Sequence, residues 1–431
     1  MAGSPTLVVA LGGRRIGTLR RVRNGARFSY APELAQAMQG VPLLSVAMPV
    51  RTEEYDTATT GSWFRGLLPE DARLESIKRF YDIGQSDWYD VLERIGWECA
   101  GAVSVMSEED WGDCRAQTGG HQAAYRDISA DELAERLAAL PSYPYDTSDT
   151  LRMSLGGFQE KLCVLAPFLP EGTTLVDARD FAIPIDGAPT SHIVKPQPSR
   201  FPGLVQAEAW AMHVCSHVTQ AAKVAVLRLP NGLSALVVER YDRKRLPTGD
   251  IVRIHQEDCA QALGIDPEKK YATQSSPKKS DPSFRRIASL LRSHGVDDGR
   301  GELLRLFDQM VINVALGNTD AHAKNFSLLH TPEGGVCLSP MYDVVPAMEI
   351  TPGVRHMGMR IANQITLEKV GREELLSESR SWGLGDEDLT ARLEDDLEKL
   401  TAGIEQASRD YPQAALRHEP AALQRIEHLR R

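Results

Sequence analysis

The stretch Gly317–Phe326, GNTDAHAKNF, packs an Asp, a His, a Lys and two Asn between the apolar runs FDQMVINVAL and FSLL. A surface turn needs one Asn or Asp, not this set. Asp320 and Asn325 stand five positions apart. Phosphoryl transfer uses that arrangement: an Asp accepts the proton of the acceptor hydroxyl, and an Asn five residues on holds a metal ion. Asp343 follows an apolar strand in LSPMYDVVPA. Mg²⁺ takes hard oxygen ligands, usually one or two carboxylates together with substrate phosphates. Asn325 and Asp343 could supply such oxygens from the two sides of a hairpin. An Asp-x4-Asn pair recurs by chance, however, and Asp343 also reads as a turn residue or helix N-cap.

Upstream lie the parts a nucleotide site would need. MSLGGFQEK, residues 153–161, sets Gly156 and Gly157 ahead of a strand, as a phosphate-cradling turn would, although it also reads as a hairpin turn. Lys195 ends the strand SHIVKP, where it could reach phosphates or stand as a solvated edge residue, and Glu208 on the next helix could pair with it. In ALVVERYDR, Glu239, Arg240 and Tyr241 could offer backbone groups to an adenine ring. His213 and His217 share a helix face, but lack the Glu of a zinc protease and a third ligand, so they read as packing. His322 reads as orienting the Asp320 loop or meeting a phosphate. Glu257 and Asp258 read as caps at a helix start, where carboxylates meet the positive end of the dipole. No GxSxG or Ser/His/Asp order supports a hydrolase.

These residues need a scaffold, and the 431-residue chain is long enough for two or three domains. It is 42% hydrophobic and 25% charged, has no membrane-spanning apolar run, and its N-terminus makes a poor signal peptide. Six scattered Cys without a CxxC pair suit a reducing cytoplasm. The net charge of −10 argues against a chain-wide nucleic-acid surface. Two basic stretches stand out, residues 14–27 with six Arg and residues 276–286, and each reads first as a solvated face. TLVVAL, RIGTLRRV and ARFSYA read as strands. SWFRGLLPEDARLESIKRFYD reads as one helical stretch, and SDWYDVLERIG as a helix capped by Ser86 or Asp87 and stopped by Gly96. From residue 151 the pattern is strand-rich with one helix. From about residue 255 it is mostly helical. A β-rich lobe followed by a helical lobe leaves a cleft between them, a usual place for a small-molecule site.

In chain order these features run Gly loop, Lys strand, Glu helix, hinge strand, Asp/Asn loop and metal Asp, the order of a two-lobed kinase. Together with IGTL, WFRGLLPE, GWECAGAV, HQEDCAQALG, NTDAHAKNFSLL and PMYDVVPA, they span nearly the whole chain. The sequence resembles the HipA family of serine/threonine-kinase toxins from bacterial toxin–antitoxin operons. The resemblance implies an α+β fold in which an N-terminal α/β domain (1–110) and a connecting segment (111–150) precede a kinase-like β-rich small lobe (151–245) and a helical large lobe (246–431). It implies Asp320 as catalytic base and Mg²⁺ held by Asn325 and Asp343. For ATP it implies contacts from Gly156, Gly157, Phe158, Gln159, Glu160, Lys161, Lys195, Glu239, Arg240, Tyr241, His322, Lys324, Asn325, Tyr342 and Asp343, with Glu208 paired to Lys195. Phe158 departs from the small residues usual in that phosphate loop. Ser154 matches the family's autophosphorylated serine. Implied partners are a DNA-binding antitoxin of the HipB type, operator DNA through that antitoxin, and a cytoplasmic protein target such as an aminoacyl-tRNA synthetase. A small-molecule phosphotransferase and a catalytically weak co-repressor are the alternatives.

Overall fold

The computed structural model describes residues 6–84, 87–112, 124–140, 154, 156, 159–185, 187–332 and 334–431. Gly157 and Phe158 of the expected phosphate loop lie outside the described residues. The chain opens with a four-stranded antiparallel sheet in the order Gly25–Tyr30, Arg14–Val22, Leu7–Leu11, Val103–Ser107. The helix Trp88–Ile95 packs on it, with Asp87 accepting from the Asp90 N–H as N-cap and Gly96 at the C-cap. The stretch expected as one helix is two, Thr57–Gly66 and Asp71–Phe80. Pro69 has no N–H to give a continuing helix and restricts the residue before it, so the chain turns at Leu67–Glu70. Gly66, Leu68, Pro69 and Glu70 at this break line the cleft between the lobes.

The small lobe is a five-stranded sheet in the order Leu162–Val164, His192–Pro196, Ser234–Glu239, Val224–Arg228, Leu175–Val176, antiparallel except for the last pair. Side chains alternate across a strand, and here both faces are buried. Val224, Val226, Leu236 and Val238 join the core of the helical lobe, with the helix Leu204–Ser216. Leu227, Ala235 and Val237 join a second core shared with the N-terminal strands and helices. The N-terminal part and the small lobe therefore bury apolar surface in common.

The large lobe is built on the helix Arg300–Ala315, flanked by Phe284–His294, Arg372–Arg380, Asp386–Asp410 and Pro412–Arg430. It also carries a three-stranded antiparallel sheet, Gln256–Asp258, Ser327–His330 and Val336–Leu338: the last two form the hairpin expected between Asn325 and Asp343, and the strand Gln256–Asp258 was not expected. The whole is an α+β, two-lobed kinase-like fold. Among the described residues no helix is long and apolar enough to cross a membrane.

Four of the six Arg of the first basic stretch are ion-paired where they stand: Arg15 with Glu108, Arg20 and Arg27 with Glu54, and Arg21 with Asp87 and Asp90. Arg14 and Arg23 are exposed, so the stretch is a solvated and mostly paired face.

Candidate functional site

The helix Arg300–Ala315 ends in a Schellman turn: Gly317 N–H bonds to Val314 O at 3.2 Å and Asn318 N–H to Asn313 O at 2.9 Å, with Gly317 at φ 72°. The loop after it is tied by its own polar groups. Asn318 Oδ1 accepts from the Asp320 N–H (3.2 Å), Asp320 O accepts from the His322 N–H (2.7 Å), and Asn325 Nδ2 donates to Asp320 O (3.0 Å). The Asp320 carboxylate is therefore not needed to hold its own loop. It accepts a hydrogen bond from the Tyr271 hydroxyl at 2.6 Å. Since Asn325 spends its Nδ2 on the loop, its Oδ1 is left as an acceptor.

Lys195, on the strand His192–Pro196, donates to Glu208 Oε1 at 2.7 Å and to Asp343 Oδ1 at 2.5 Å. Glu208 is buried on the helix Leu204–Ser216, while the Asp343 side chain is 42% exposed. Asp343 sits at φ 57°, in the left-handed region that short polar residues tolerate and that recurs at functional sites. Lys161 donates to Gly156 O at 2.6 Å. Gly156 is pressed against the helix break: a Cβ there would come within 3.2 Å of Gly66 O.

Asp320, His322, Lys324, Asn325, Tyr342, Asp343, Lys195, Gly156, Gln159, Glu160, Lys161, Glu239, Arg240 and Tyr241 all line one cleft of about 1540 Å³ between the lobes. Arg65, Gly66, Leu68, Pro69 and Glu70 of the N-terminal part line it too.

The family models of the HipA N-terminal domain and the HipA-like C-terminal domain match residues 7–106 and 153–407. The chain belongs to the HipA family. It is 31% identical over 377 residues to the "Putative kinase Y4mE" of Sinorhizobium fredii, covering 86% of this chain and 84% of that protein. It is 27% identical over 351 residues to the "Serine/threonine-protein kinase toxin HipA" of Shewanella oneidensis, covering 79% and 75%. The HipA chain in the structure of the Shewanella oneidensis complex of HipA, HipB and operator DNA shares its fold, with a TM-score of 0.78 at 23% identity over 98% of this chain and 97% of that one.

The HipA-type site has a graded electrostatic character. Burial would drive the Lys195 ammonium toward neutrality, but Asp343 and Glu208 raise its pKa and keep it charged. Burial would likewise raise Asp343, yet Lys195 holds its carboxyl well below the usual carboxylate range. Burial raises the Asp320 carboxyl above its ordinary value, with the Tyr271 hydrogen bond opposing. His322 is pushed down to about 3 by burial and then by Lys270, which leaves a neutral imidazole at physiological pH and removes it as a base poised near neutrality.

Lys161 is lowered to about 8, first by burial and then by the neighbouring charge of Lys195. A bound polyanion would restore its proton. Affinity of the chain for ATP is therefore expected to fall roughly tenfold between about pH 7 and 9 as Lys161 deprotonates. Titration calorimetry across that range measures it, and Lys161→Met is expected to flatten the profile.

Some expected ligands are committed elsewhere. Lys324 donates to Gly66 O and Asp258 Oδ2, both at 2.9 Å, so its ammonium braces the cleft wall. The Arg240 guanidinium turns away to Glu98, Asp242 and Thr190. The N–H groups of Glu239 and Arg240 are taken by Lys223 O and Ser191 O. Asp258 is a capping-box N-cap as expected, but Glu257 is not a cap. It is buried, accepts from the Trp63 indole and the Val46 N–H, and fastens the N-terminal part to the large lobe. Sequence reading missed Tyr271, Lys270 and Glu70: the Lys270–Glu70 ion pair and the Tyr271–Asp320 bond span residues far apart in the chain.

Proposed function

We propose that this chain is an ATP- and Mg²⁺-dependent serine/threonine protein kinase of the HipA toxin type. The observation that carries the reading is the Lys195–Glu208–Asp343 contact, set in the same cleft as Asp320 and Asn325. The donor set suits the ligands. Asn325 Oδ1 and the Asp343 carboxylate are hard oxygens fit for Mg²⁺, which would complete its shell with phosphates and water. Lys161 and Lys195 are cations suited to phosphate oxygens, and the strand end at Glu239–Tyr241 is a place for the base. When bound, Mg²⁺ would neutralise charge on the phosphates. The protein's own work is positioning and electrostatics: Asp320 receives the acceptor's proton, Asn325 steadies the loop, and Glu208 keeps Lys195 charged and aimed.

Ser154 fits a self-limiting step. Its hydroxyl is fully buried and donates to Leu67 O at 2.7 Å, while its N–H bonds to Glu98 O at 2.9 Å. A phosphoserine of about −2 charge has no donor for Leu67 O and no room there. Once phosphorylated, Ser154 could not return, and the neighbouring Gly156–Lys161 segment would lose its seat. The HipA, HipB and operator DNA complex of Shewanella oneidensis supports a HipB-type antitoxin through which operator DNA is met. The target that goes with this reading is a cytoplasmic protein such as an aminoacyl-tRNA synthetase. Phosphopeptide mapping after incubation with Mg²⁺-ATP tests it. Phosphate is expected on Ser154 in the wild type and on no residue of Asp320→Ala. Phosphate confined to other residues would remove the switch, and transfer only to small alcohols would replace the protein kinase by a small-molecule one.

A further inference from the structure

Asp320 already holds a hydroxyl, and that hydroxyl belongs to this chain. Tyr271 places its phenol oxygen 2.6 Å from Asp320 Oδ1, within the reach a general base needs of the proton it is to take. The contact is not the chance reach of a loose side chain. The carbonyl of Lys270 accepts from the Ala323 N–H at 3.3 Å, inside the catalytic loop. On the other side Ala272 N–H bonds to Gly358 O at 2.8 Å, and Gly358 N–H bonds to Thr319 O at 2.8 Å. The strand His356–Ile361 lies so close to the loop that a Cβ on Gly358 would stand 2.6 Å from the His322 nitrogen. The Tyr271 ring meets His322 edge-on, centroids 4.9 Å apart at 88°. Backbone on both sides and a ring contact thus fix the phenol against the base, while the residue stays 47% exposed at the cleft.

We propose that Tyr271 is a phosphoryl acceptor in cis, a modification site in the catalytic cleft. The proposal rests on the kinase reading of that cleft. In the step, the phenol oxygen bonds to the γ-phosphorus of ATP. The bond from that phosphorus to the β,γ-bridging oxygen breaks, ADP leaves with the electron pair, and the phenolic proton passes to Asp320 and then to water. The product has no O–H to donate and carries about two negative charges, so it cannot restore the bond to Asp320 and must swing out of the cleft. The base is then open to hydroxyls of other proteins.

The test uses the full chain, first treated with phosphatase and then given Mg²⁺-ATP. Fragmentation of the tryptic peptide Tyr271–Lys278 separates Tyr271 from Thr273, Ser275 and Ser276. Phosphate is expected on Tyr271, at an initial fractional rate that does not change as the protein is diluted, and is expected to be lost in Asp320→Asn. Tyr271→Phe is expected to lose the label from this peptide. Phosphate elsewhere in the wild type with none on Tyr271 overturns the proposal and leaves the kinase reading standing. A rate on Tyr271 that falls with dilution overturns transfer in cis. No phosphate on any residue overturns the kinase reading and this proposal together.

Discussion

Asp320→Asn is expected to lower phosphoryl transfer by about 10²- to 10⁴-fold, the usual worth of a positioned general base, without lowering the melting temperature. The loop is held by the Asp320 backbone and by Asn318 and Asn325, not by the carboxylate. An Asn at 320 can still accept from the Tyr271 hydroxyl, so the fold loses little. What it loses is a site for the acceptor's proton. Steady-state transfer of labelled phosphate, read beside a thermal melt, separates the two. A variant that melts early would show a structural role for the carboxylate, and one that transfers at the wild-type rate would remove Asp320 from the chemistry. The wild-type rate is also expected to fall with acid at a higher pH than an exposed Asp would impose, because burial raises this carboxyl.

Glu98→Ala is expected to cost about 3–5 kcal/mol of stability, the range for stripping one partner from a buried ion network. Glu98 Oε1 accepts from Arg243 at 3.0 Å, Arg240 at 3.3 Å, the Thr190 N–H at 2.8 Å and the Thr190 hydroxyl at 2.9 Å, all within the core. Asp242 completes the set, bonding Arg240 at 2.9 Å and the Gly101 N–H at 2.7 Å. Two carboxylates balance two guanidiniums. Removing Glu98 leaves one buried positive charge uncompensated at the strand end that passes from the small lobe to the large. Burial acts to raise the Glu98 carboxyl, but Arg240 and Arg243 hold it below its ordinary value. Its contribution is therefore fully present above the unfolded-state pKa and is lost as pH falls through the lower folded-state one. Denaturant unfolding of wild type and variant at neutral and acid pH measures both effects, and the gap between the two proteins is expected to narrow in acid.

The residues that the fold gathers in the cleft were largely legible because their signals are local. Asp320 and Asn325 announce themselves by spacing inside a polar loop between apolar runs, and Asp343 by following a strand. Lys195 and Glu208 were legible as a pair only because a strand and the next helix are neighbours in a kinase-like lobe. Elements followed their patterns where one face is apolar, as in the Trp88–Ile95 helix with its Asp87 cap. What could not be read is long-range. Tyr271 lies just ahead of the polar stretch ATQSSPKKSDPS, and the long-range backbone bonds of its neighbours Lys270 with Ala323 and Ala272 with Gly358 bring it to Asp320. Arg240 sits in the expected hinge, but its side chain is claimed by Glu98, a residue 142 positions away. The Pro69 break was visible as a proline, yet that it would place Glu70 and Gly66 beside Lys324 follows from tertiary packing alone.

On the proposed reading Lys195, Asn325 and Asp343 jointly receive a nucleotide triphosphate and its divalent ion. Calorimetric titration of ATP into the wild type and into Asp343→Asn, each with Mg²⁺ and with a chelator, tests it most directly. The expected result is binding that tightens with Mg²⁺ in the wild type and does not in the variant. Equal binding with and without Mg²⁺ in the wild type, or the same Mg²⁺ enhancement in both proteins, would contradict it.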